Sequence, residues 1–139
     1  MFKVLGVALV ALAIAIAVVP VFTDCQSQGL QITMVSGKTT PMKCHWTGIA
    51  ELGMAIPLVG IGAMMVASRR KETFAYLSIT GIAITGVMLA LPNGLIGVCA
   101  SPTHTCVTLM KPALTGLGSV AALGSIVGLV WSRRAKGLT

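Results

Sequence analysis

Four long apolar segments dominate the sequence and restrict the folds open to it. They cover residues 4–23, 47–68, 73–92 and 112–132, and the only charged residue in them is Glu51. Each segment is about 20 residues long, which is the length a helix needs to cross a hydrocarbon layer of about 30 Å. They lack the period-2 alternation of membrane strands and are rich in Ala, Leu and Gly. The sequence therefore predicts an all-α integral membrane protein, a single four-transmembrane-helix bundle over residues 1–139.

The composition leaves no room for a soluble domain. Of the 139 residues, 55% are hydrophobic and 9% are charged, and a soluble domain of this size needs more polar surface to cover its core. Nucleic-acid binding is also disfavoured despite a net charge of +7, because the charges lie in short clusters at helix ends and no separate domain presents a basic face.

The distribution of the basic residues predicts the topology. Seven of the ten lysines and arginines fall at the N-terminus, in the second connection and at the C-terminus: Lys3, Arg69, Arg70, Lys71, Arg133, Arg134 and Lys136. The other three are Lys38, Lys43 and Lys111. We expect the protein to lie in the plasma membrane, and by the positive-inside rule we expect both termini in the cytoplasm. Anionic lipid headgroups are then the expected partners of the basic clusters.

All four cysteines lie in the two connections that this topology places outside, 24–46 and 93–111. They are Cys25, Cys44, Cys99 and Cys106, and an even number on the oxidising side indicates disulfides. Three connectivities are possible. We favour Cys25–Cys44 with Cys99–Cys106, and a pairing across the hairpins, such as Cys44–Cys99, stays open. Neither spacing is C-x-x-C, which disfavours a thiol oxidoreductase.

Glu51 is the most unusual residue in the apolar segments. It lies about one helical turn into the second span, where an ionised carboxylate is expensive. Helical spacing places it on one face with Cys44 and Thr47. It is expected either to bind a proton, a cation or a partner's basic group, or to hydrogen-bond a hydroxyl such as that of Thr47 as part of the packing.

The outer connections also contain residues able to bind a metal ion. His45, His104, Met42 and Met110 offer imidazole and thioether groups, which suit copper(I), zinc or haem. Their spacing matches no metal-binding motif, and the cysteines are expected to be consumed in disulfides. More commonly than they bind a metal, such histidines lie at the membrane interface and such methionines fill apolar space.

Two further patterns are typical of membrane helices in general. Trp46 and Trp131 fall near opposite ends of spans, where aromatic residues anchor helices at the membrane interface. Gly124 and Gly128 form a G-x-x-x-G, which lets helix backbones approach closely, either within the bundle or against a partner.

Catalysis finds no support in the sequence. The chain has three acidic residues in total, and it lacks paired carboxylates, a Ser–His–Asp pattern and a phosphate-binding glycine loop. We therefore expect a protein that is not an enzyme and has no cofactor.

The run MKCHWTGIAE contains Met42, Cys44, His45, Trp46, Thr47 and Glu51. With Cys25 in TDC and the pair in GVCASPTHTC, it resembles a family of small four-helix bacterial membrane proteins described as a domain of unknown function. The resemblance extends over nearly the whole chain, but only this run is distinctive. The family is associated with ABC transporters of the FtsX/MacB type, which implies an accessory membrane subunit, and it implies no catalytic residues.

Three hypotheses of function follow. The first is a non-enzymatic accessory subunit of a membrane complex, an FtsX/MacB-type ABC transporter above all, whose ABC permease would be its partner. The second is an extracytoplasmic metal- or haem-handling protein that uses the histidines and methionines. The third is an oligomeric channel or carrier with Glu51 on its path.

Overall fold

The computed structural model describes residues 2–134, and Lys136 of the topology argument lies outside them. Four helices dominate: α1 (Phe2–Thr23), α2 (Lys43–Ala67), α3 (Lys71–Ala90) and α4 (Lys111–Arg134). Each of them is long and apolar enough to cross a membrane. Four such helices indicate a multi-pass membrane protein, in agreement with the prediction from hydropathy.

The bundle consists of two helical hairpins. The first pairs α1 with α2, and the second pairs α3 with α4. The long connection of the first hairpin contains two short antiparallel strands, β1 (Ile32–Thr33) and β2 (Thr39–Thr40), with Ile32 opposite Thr40. The two connections touch each other where the Thr105 hydroxyl donates to Gln28 Oε1 at 3.0 Å.

Glycines allow the helices to approach closely. A Cβ at Gly62 would lie 2.9 Å from the Gly6 carbonyl oxygen, and a Cβ at Gly6 would lie 2.8 Å from the Gly62 oxygen. A Cβ at Gly128 would lie 2.9 Å from both Leu5 Cδ2 and Ser78 Oγ. The backbones of α1 and α2 therefore cross in direct contact, as small residues permit in membrane helices.

The helices extend further at one end than the apolar segments predict. α2 begins at Lys43, and a π-helical turn, Cys106–Met110, precedes α4. Cys44 and Cys106 therefore lie in helical turns and not in irregular loops as expected. The reason is that both thiols are fully buried against the interior, so the helix continues outward as long as its inner face has apolar contacts. A second π-helical turn, Leu91–Leu95, follows α3.

The interior has two apolar clusters. One surrounds the cysteines and includes Ile16, Ala55, Leu58, Met88 and Met110. The other lies towards the opposite end and includes Leu9, Ile61, Met65, Phe74 and Ala121. We call these two ends the cysteine end and the basic end, the latter after Arg69, Arg70, Arg133 and Arg134.

Candidate metal centre

The four cysteines meet in one group, the cysteine cluster, at one end of the bundle. Cys25 follows α1, Cys44 lies in the first turn of α2, Cys99 lies in the second long connection, and Cys106 opens the π-helical turn before α4. Their four Sγ atoms all lie within 4.8 Å of one another. Each hairpin contributes two of them, so the cluster forms only when the two hairpins pack together.

The sulfurs are in contact but are not bonded. The distances are 3.2 Å between Cys25 and Cys106, 3.3 Å between Cys44 and Cys99, and 3.5 Å between Cys25 and Cys99. All four cysteines are free thiols, whereas a disulfide has an S–S length of about 2.05 Å. The disulfides expected from the sequence are thus not seen. The two nearest contacts both run between hairpins, unlike the favoured Cys25–Cys44 and Cys99–Cys106 pairs.

This spacing is close to that of a tetrahedral thiolate site. A metal ion with four sulfurs at about 2.3 Å has them about 3.8 Å apart, as in structural zinc sites. The closest contacts here are slightly shorter, and the largest separation does not exceed 4.8 Å. Shifts of a few tenths of an ångström would place all four sulfurs around one ion. Four thiolates would leave no open position on such an ion, which is the arrangement of non-catalytic zinc sites.

Burial and mutual contact set the acidity of the thiols outside the spans. Cys25 is buried, and burial raises the pKa of its thiol, with the neighbouring sulfurs of Cys44, Cys106 and Cys99 adding to the increase. Burial acts in the same direction on Cys99, but hydrogen bonds from the other three cysteines outweigh it and lower the pKa of the Cys99 thiol. Of these two thiols, Cys99 is therefore the one that accommodates a negative charge better.

An ion pair lies beside the cysteine cluster. His45 Nδ1 is 2.8 Å from Asp24 Oδ2, and Asp24 Oδ1 accepts the Ser27 backbone N–H at 2.7 Å. Burial raises the pKa of the Asp24 carboxyl, but the hydrogen bonds with His45 and Ser27 more than offset this, and its pKa is lowered. Because a carboxylate only accepts, His45 donates through Nδ1. Asp24 and His45 directly adjoin Cys25 and Cys44, so the pair fixes the backbone next to two of the sulfurs.

Two of the other predicted ligands flank the cluster. Met42 Sδ is 3.8 Å from Cys99 Sγ, and His104 Nδ1 is 3.9 Å from Cys25 Sγ. Met110 is fully buried in the apolar core around the cysteines. Within residues 2–134, the four cysteines are the residues whose ligand atoms lie close enough together to share a metal ion, and neither histidine belongs to this group.

Thr47 positions the connection that contains Cys99. Its hydroxyl donates to the Gly97 carbonyl oxygen at 2.6 Å, and the Gly97 N–H donates to the Leu91 carbonyl at 2.9 Å. Gly97 has φ +80°, a conformation that side chains disfavour, so a glycine is needed where the chain turns back over α2. The Thr47 hydrogen bond thereby holds Cys99 against Cys44.

Glu51 is on the same buried face of α2 as Cys44 and Thr47, as helical spacing indicated. Its side chain is 1% exposed, and within residues 2–134 neither carboxyl oxygen has a hydrogen-bond partner. The expected hydrogen bond to Thr47 is absent from these residues, because the Thr47 hydroxyl donates to Gly97 instead.

The remaining predicted residues lie away from the cluster. Trp46 is more than half exposed and its ring makes an edge contact with His45 at 6.0 Å between centroids. Trp131 is partly exposed near the basic end, beside Val4 and Leu5. Gly128 packs inside the bundle against Leu5 and Phe74, while a Cβ at Gly124 would only touch Leu9 at 3.9 Å.

The sequence did not predict that the four cysteines form one ligand set, because the favoured disulfides pair them separately within each hairpin. One signal was available: each hairpin has one cysteine just after a helix ends and one where the next helix begins. Such pairs lie at the same end of both hairpins and meet if the hairpins pack side by side.

Comparison with known proteins places the chain in a family without assigning it an activity. No curated protein and no solved structure matches it. Residues 4–131, almost the whole described chain, match one family profile. The protein belongs to the DUF4418 family, a domain of unknown function.

Proposed function

We propose that this protein binds a thiophilic metal ion, zinc above all, through the cysteine cluster. The observation that supports this most is the convergence of four sulfurs from two hairpins within 4.8 Å. Thiolates select zinc, copper(I) and iron among biological metals, and a tetrahedral set of four suits zinc or iron. Magnesium and calcium prefer oxygen ligands, whereas the converging ligand atoms here are sulfurs.

The proposed role of the metal is to hold the hairpins together and not to catalyse a reaction. Four thiolates fill a tetrahedral coordination sphere, so a substrate would have no position to occupy. Within each pair of nearest sulfurs, one belongs to the α1–α2 hairpin and the other to the α3–α4 hairpin. A metal ion bound to all four would therefore link the hairpins at the cysteine end.

The proposed topology places this site on the outside of the plasma membrane. The basic end contains Lys3, Arg69, Arg70, Arg133 and Arg134, whereas Lys38, Lys43 and Lys111 lie at the cysteine end. The positive-inside rule then assigns the basic end, with both termini, to the cytoplasm. The test uses a variant without the four native cysteines, into which a single cysteine is introduced at Ser68 or at Ser36. A membrane-impermeant maleimide added to whole cells should modify the cysteine at position 36 and not the one at position 68.

Metal content measured on protein purified under reducing conditions from native membranes tests the proposal. We expect about one zinc or iron ion per chain, as for other four-cysteine sites. The matched control is Ser101→Ala, which removes a hydroxyl in the Cys99 connection whose hydrogen-bond partner among the described residues is Thr103 Oγ1, at 3.0 Å. Cys44→Ser should lose the metal while Ser101→Ala retains it. Equal metal content in both variants would refute the site.

A second proposed role, compatible with the first, is that of an accessory subunit of an FtsX/MacB-type ABC transporter. Supporting it are the family resemblance and two glycines on α2, Gly53 and Gly60, whose Cβ positions face open space. They are seven residues apart and so share a face, where a partner helix could pack closely. Co-purification from native membranes should recover a permease with the wild type, and Gly53→Leu with Gly60→Leu should lose it. Gly116→Leu, at an equally open position on α4, is the control.

A carrier role for Glu51 has weaker support. The buried residues that follow it on the same face of α2, Ala55, Leu58 and Ile61, are all apolar. A permeating ion would therefore need a path between chains, which makes this proposal depend on an oligomer.

A further inference from the structure

We propose that the cysteine cluster is a redox switch that oxidises to two disulfides across the hairpins, Cys44–Cys99 and Cys25–Cys106, with release of the metal. The release of metal rests on the proposed function, whereas the pairing can be tested without any metal. The pairing also differs from the one that sequence proximity favours.

The contacts between sulfurs select this pairing. Four cysteines can form two bridges in three ways, and the two shortest contacts, 3.2 Å for Cys25–Cys106 and 3.3 Å for Cys44–Cys99, use each sulfur once. The third contact, Cys25–Cys99 at 3.5 Å, would leave Cys44 with Cys106. No sulfur contact between those two is found among residues 2–134. The cross-hairpin pairing Cys44–Cys99 with Cys25–Cys106 therefore joins the sulfurs that are closest, and it requires the least movement.

Exposure sets the order of the two steps. Cys25, Cys44 and Cys106 are at most 2% exposed, whereas Cys99 is only partly buried. An oxidant from the outside would reach Cys99 first. Cys44, 3.3 Å away and held there through the Thr47–Gly97 hydrogen bond, is placed to complete the first bridge. Two metal ligands are lost in this step, and Cys25 and Cys106 can then form the second bridge.

The oxidant is of the low-molecular-weight disulfide class, such as oxidised glutathione. The Cys99 thiolate attacks one sulfur of the oxidant, which forms a mixed disulfide and releases one glutathione thiolate. The Cys44 thiolate then attacks Cys99 Sγ, which forms the protein disulfide and releases the second glutathione thiolate. Repetition at Cys25 and Cys106 consumes a second oxidant molecule. In total, the four-thiolate site and two oxidised glutathiones give two protein disulfides, one free divalent metal ion and four glutathione thiolates.

The switch would keep the hairpins joined in both states. In the reduced state a metal ion would link them, and in the oxidised state two covalent bonds would link the same positions. The protein would then bind metal only when the environment outside the membrane is reducing, while the two hairpins stay joined at the cysteine end in both states.

Peptide mapping of wild-type protein oxidised with glutathione disulfide tests the pairing first. Trypsin can cut between Cys25 and Cys44 at Lys38 and Lys43, but no lysine or arginine lies between Cys99 and Cys106. Pairing across the hairpins therefore links the Cys99–Cys106 peptide to both other cysteine peptides. The sequential pairing would instead leave that peptide separate with an internal bridge, and its predominance would overturn the inference.

Variants that keep only two cysteines decide between the two cross-hairpin pairings. Cys25→Ser with Cys106→Ser keeps the Cys44/Cys99 pair, and Cys44→Ser with Cys99→Ser keeps the Cys25/Cys106 pair. The matched control, Cys25→Ser with Cys99→Ser, keeps Cys44 and Cys106. Metal-free protein should form a disulfide on the order of tenfold faster with Cys44/Cys99 than in the control. Equal rates, in variants whose circular dichroism matches the wild type, would overturn the assignment.

Metal release separates this inference from the proposed function. Oxidation of metal-loaded wild type should release the ion, detected with a chromophoric chelator, in parallel with disulfide formation. If metal-free protein pairs as described but binds no metal after reduction, the proposed function fails and the pairing stands. If the protein binds metal but oxidation leaves it bound, the switch is refuted and the metal site stands.

Discussion

The two ends of the same four-helix bundle are held together by different means. At the cysteine end, the hairpins meet through sulfur contacts and through the Thr47–Gly97 and Thr105–Gln28 hydrogen bonds. At the basic end, they meet through apolar side chains such as Phe74 and Leu5 packed on Gly128. The two ends therefore differ in how the hairpins are joined, and we propose that the contacts at the cysteine end serve metal binding whereas those at the basic end serve packing.

The largest effect is expected at the cysteine end. Cys44→Ser removes one of the four sulfur ligands. Loss of a residue that only supports a ligand lowers metal affinity by up to about 100-fold, so we expect loss of a ligand itself to lower zinc affinity by more than about 100-fold. Competition with a zinc chelator in detergent measures this. The Ser101→Ala control should keep the wild-type affinity, and a similar loss in both would place the site elsewhere.

A substitution in the packing away from the cysteines should separate stability from metal binding. Gly62→Ala would bring a Cβ within 2.7 Å of Val10 Cγ2 and 2.9 Å of the Gly6 oxygen. We expect a loss of about 1–3 kcal/mol in the free energy of unfolding, as for overpacked cores. Denaturation in mixed detergent micelles gives this value.

The control for that prediction lies two residues away on the same helix. A Cβ at Gly60 would meet nothing within 4 Å, so Gly60→Ala should be neutral or slightly stabilising. Zinc affinity should match the wild type in both variants. Weaker zinc binding by folded Gly62→Ala protein would show that the two regions are coupled, contrary to the comparison above.

A smaller effect is expected from the ion pair beside the cluster. Asp24→Asn removes the charge that orients His45, and we expect zinc affinity to fall by about tenfold, since the ligands themselves remain. Ser27→Ala should have a smaller effect, because it loses the hydroxyl hydrogen bond to the Asp24 carbonyl oxygen but keeps the backbone hydrogen bond to the carboxylate. An unchanged affinity would show that Asp24 does not position the sulfurs.

The same carboxylate makes a prediction about pH. The folded pKa of Asp24 is lowered, so its contribution to stability is present above the ordinary value of about 3.9 and is lost as pH falls through the folded pKa. The difference in stability between wild type and Asp24→Asn should therefore shrink as the pH falls below about 4, because the wild type then loses the contribution of this carboxylate. A difference that stays the same at low pH would show that the Asp24 carboxylate does not contribute to stability.

The smallest effect is expected at Glu51. Its carboxyl oxygens have no hydrogen-bond partner within residues 2–134, so Glu51→Gln keeps the size of the side chain and breaks no hydrogen bond of these residues. We expect a change of less than about 0.5 kcal/mol in the free energy of unfolding, and no change in zinc affinity. A loss above about 2 kcal/mol would show that the carboxyl has an essential partner, such as a basic group of another subunit.

The sequence predicted the bundle more fully than the site. Hydropathy is a local property, so the four spans could be located from residue types, and helical spacing correctly placed Glu51 on the face of Cys44 and Thr47. The predicted starts of the second and fourth helices were too late, because the helical turns extend outward to Cys44 and Cys106, whose thiols contact the interior. The local pattern around them contains no such information.

The arrangement of the site depends on contacts between residues that are distant in sequence. Cys25 and Cys106 are 81 positions apart, and Asp24 and His45 are 21 apart. The first contact follows from the side-by-side packing of the two hairpins and the second from the pairing of α1 with α2, and residue spacing determines neither. Proximity in the chain favoured pairs within each hairpin, whereas the two shortest sulfur contacts run between the hairpins.

X-ray absorption at the zinc edge tests the central claim most directly. On reduced, zinc-loaded wild-type protein, we predict about four sulfur ligands at about 2.3 Å and no nitrogen or oxygen ligand. Two sulfurs with histidine nitrogens would instead assign the metal to His45 or His104. A shell of light atoms alone, or a spectrum unchanged by Cys44→Ser, would contradict the four-cysteine site.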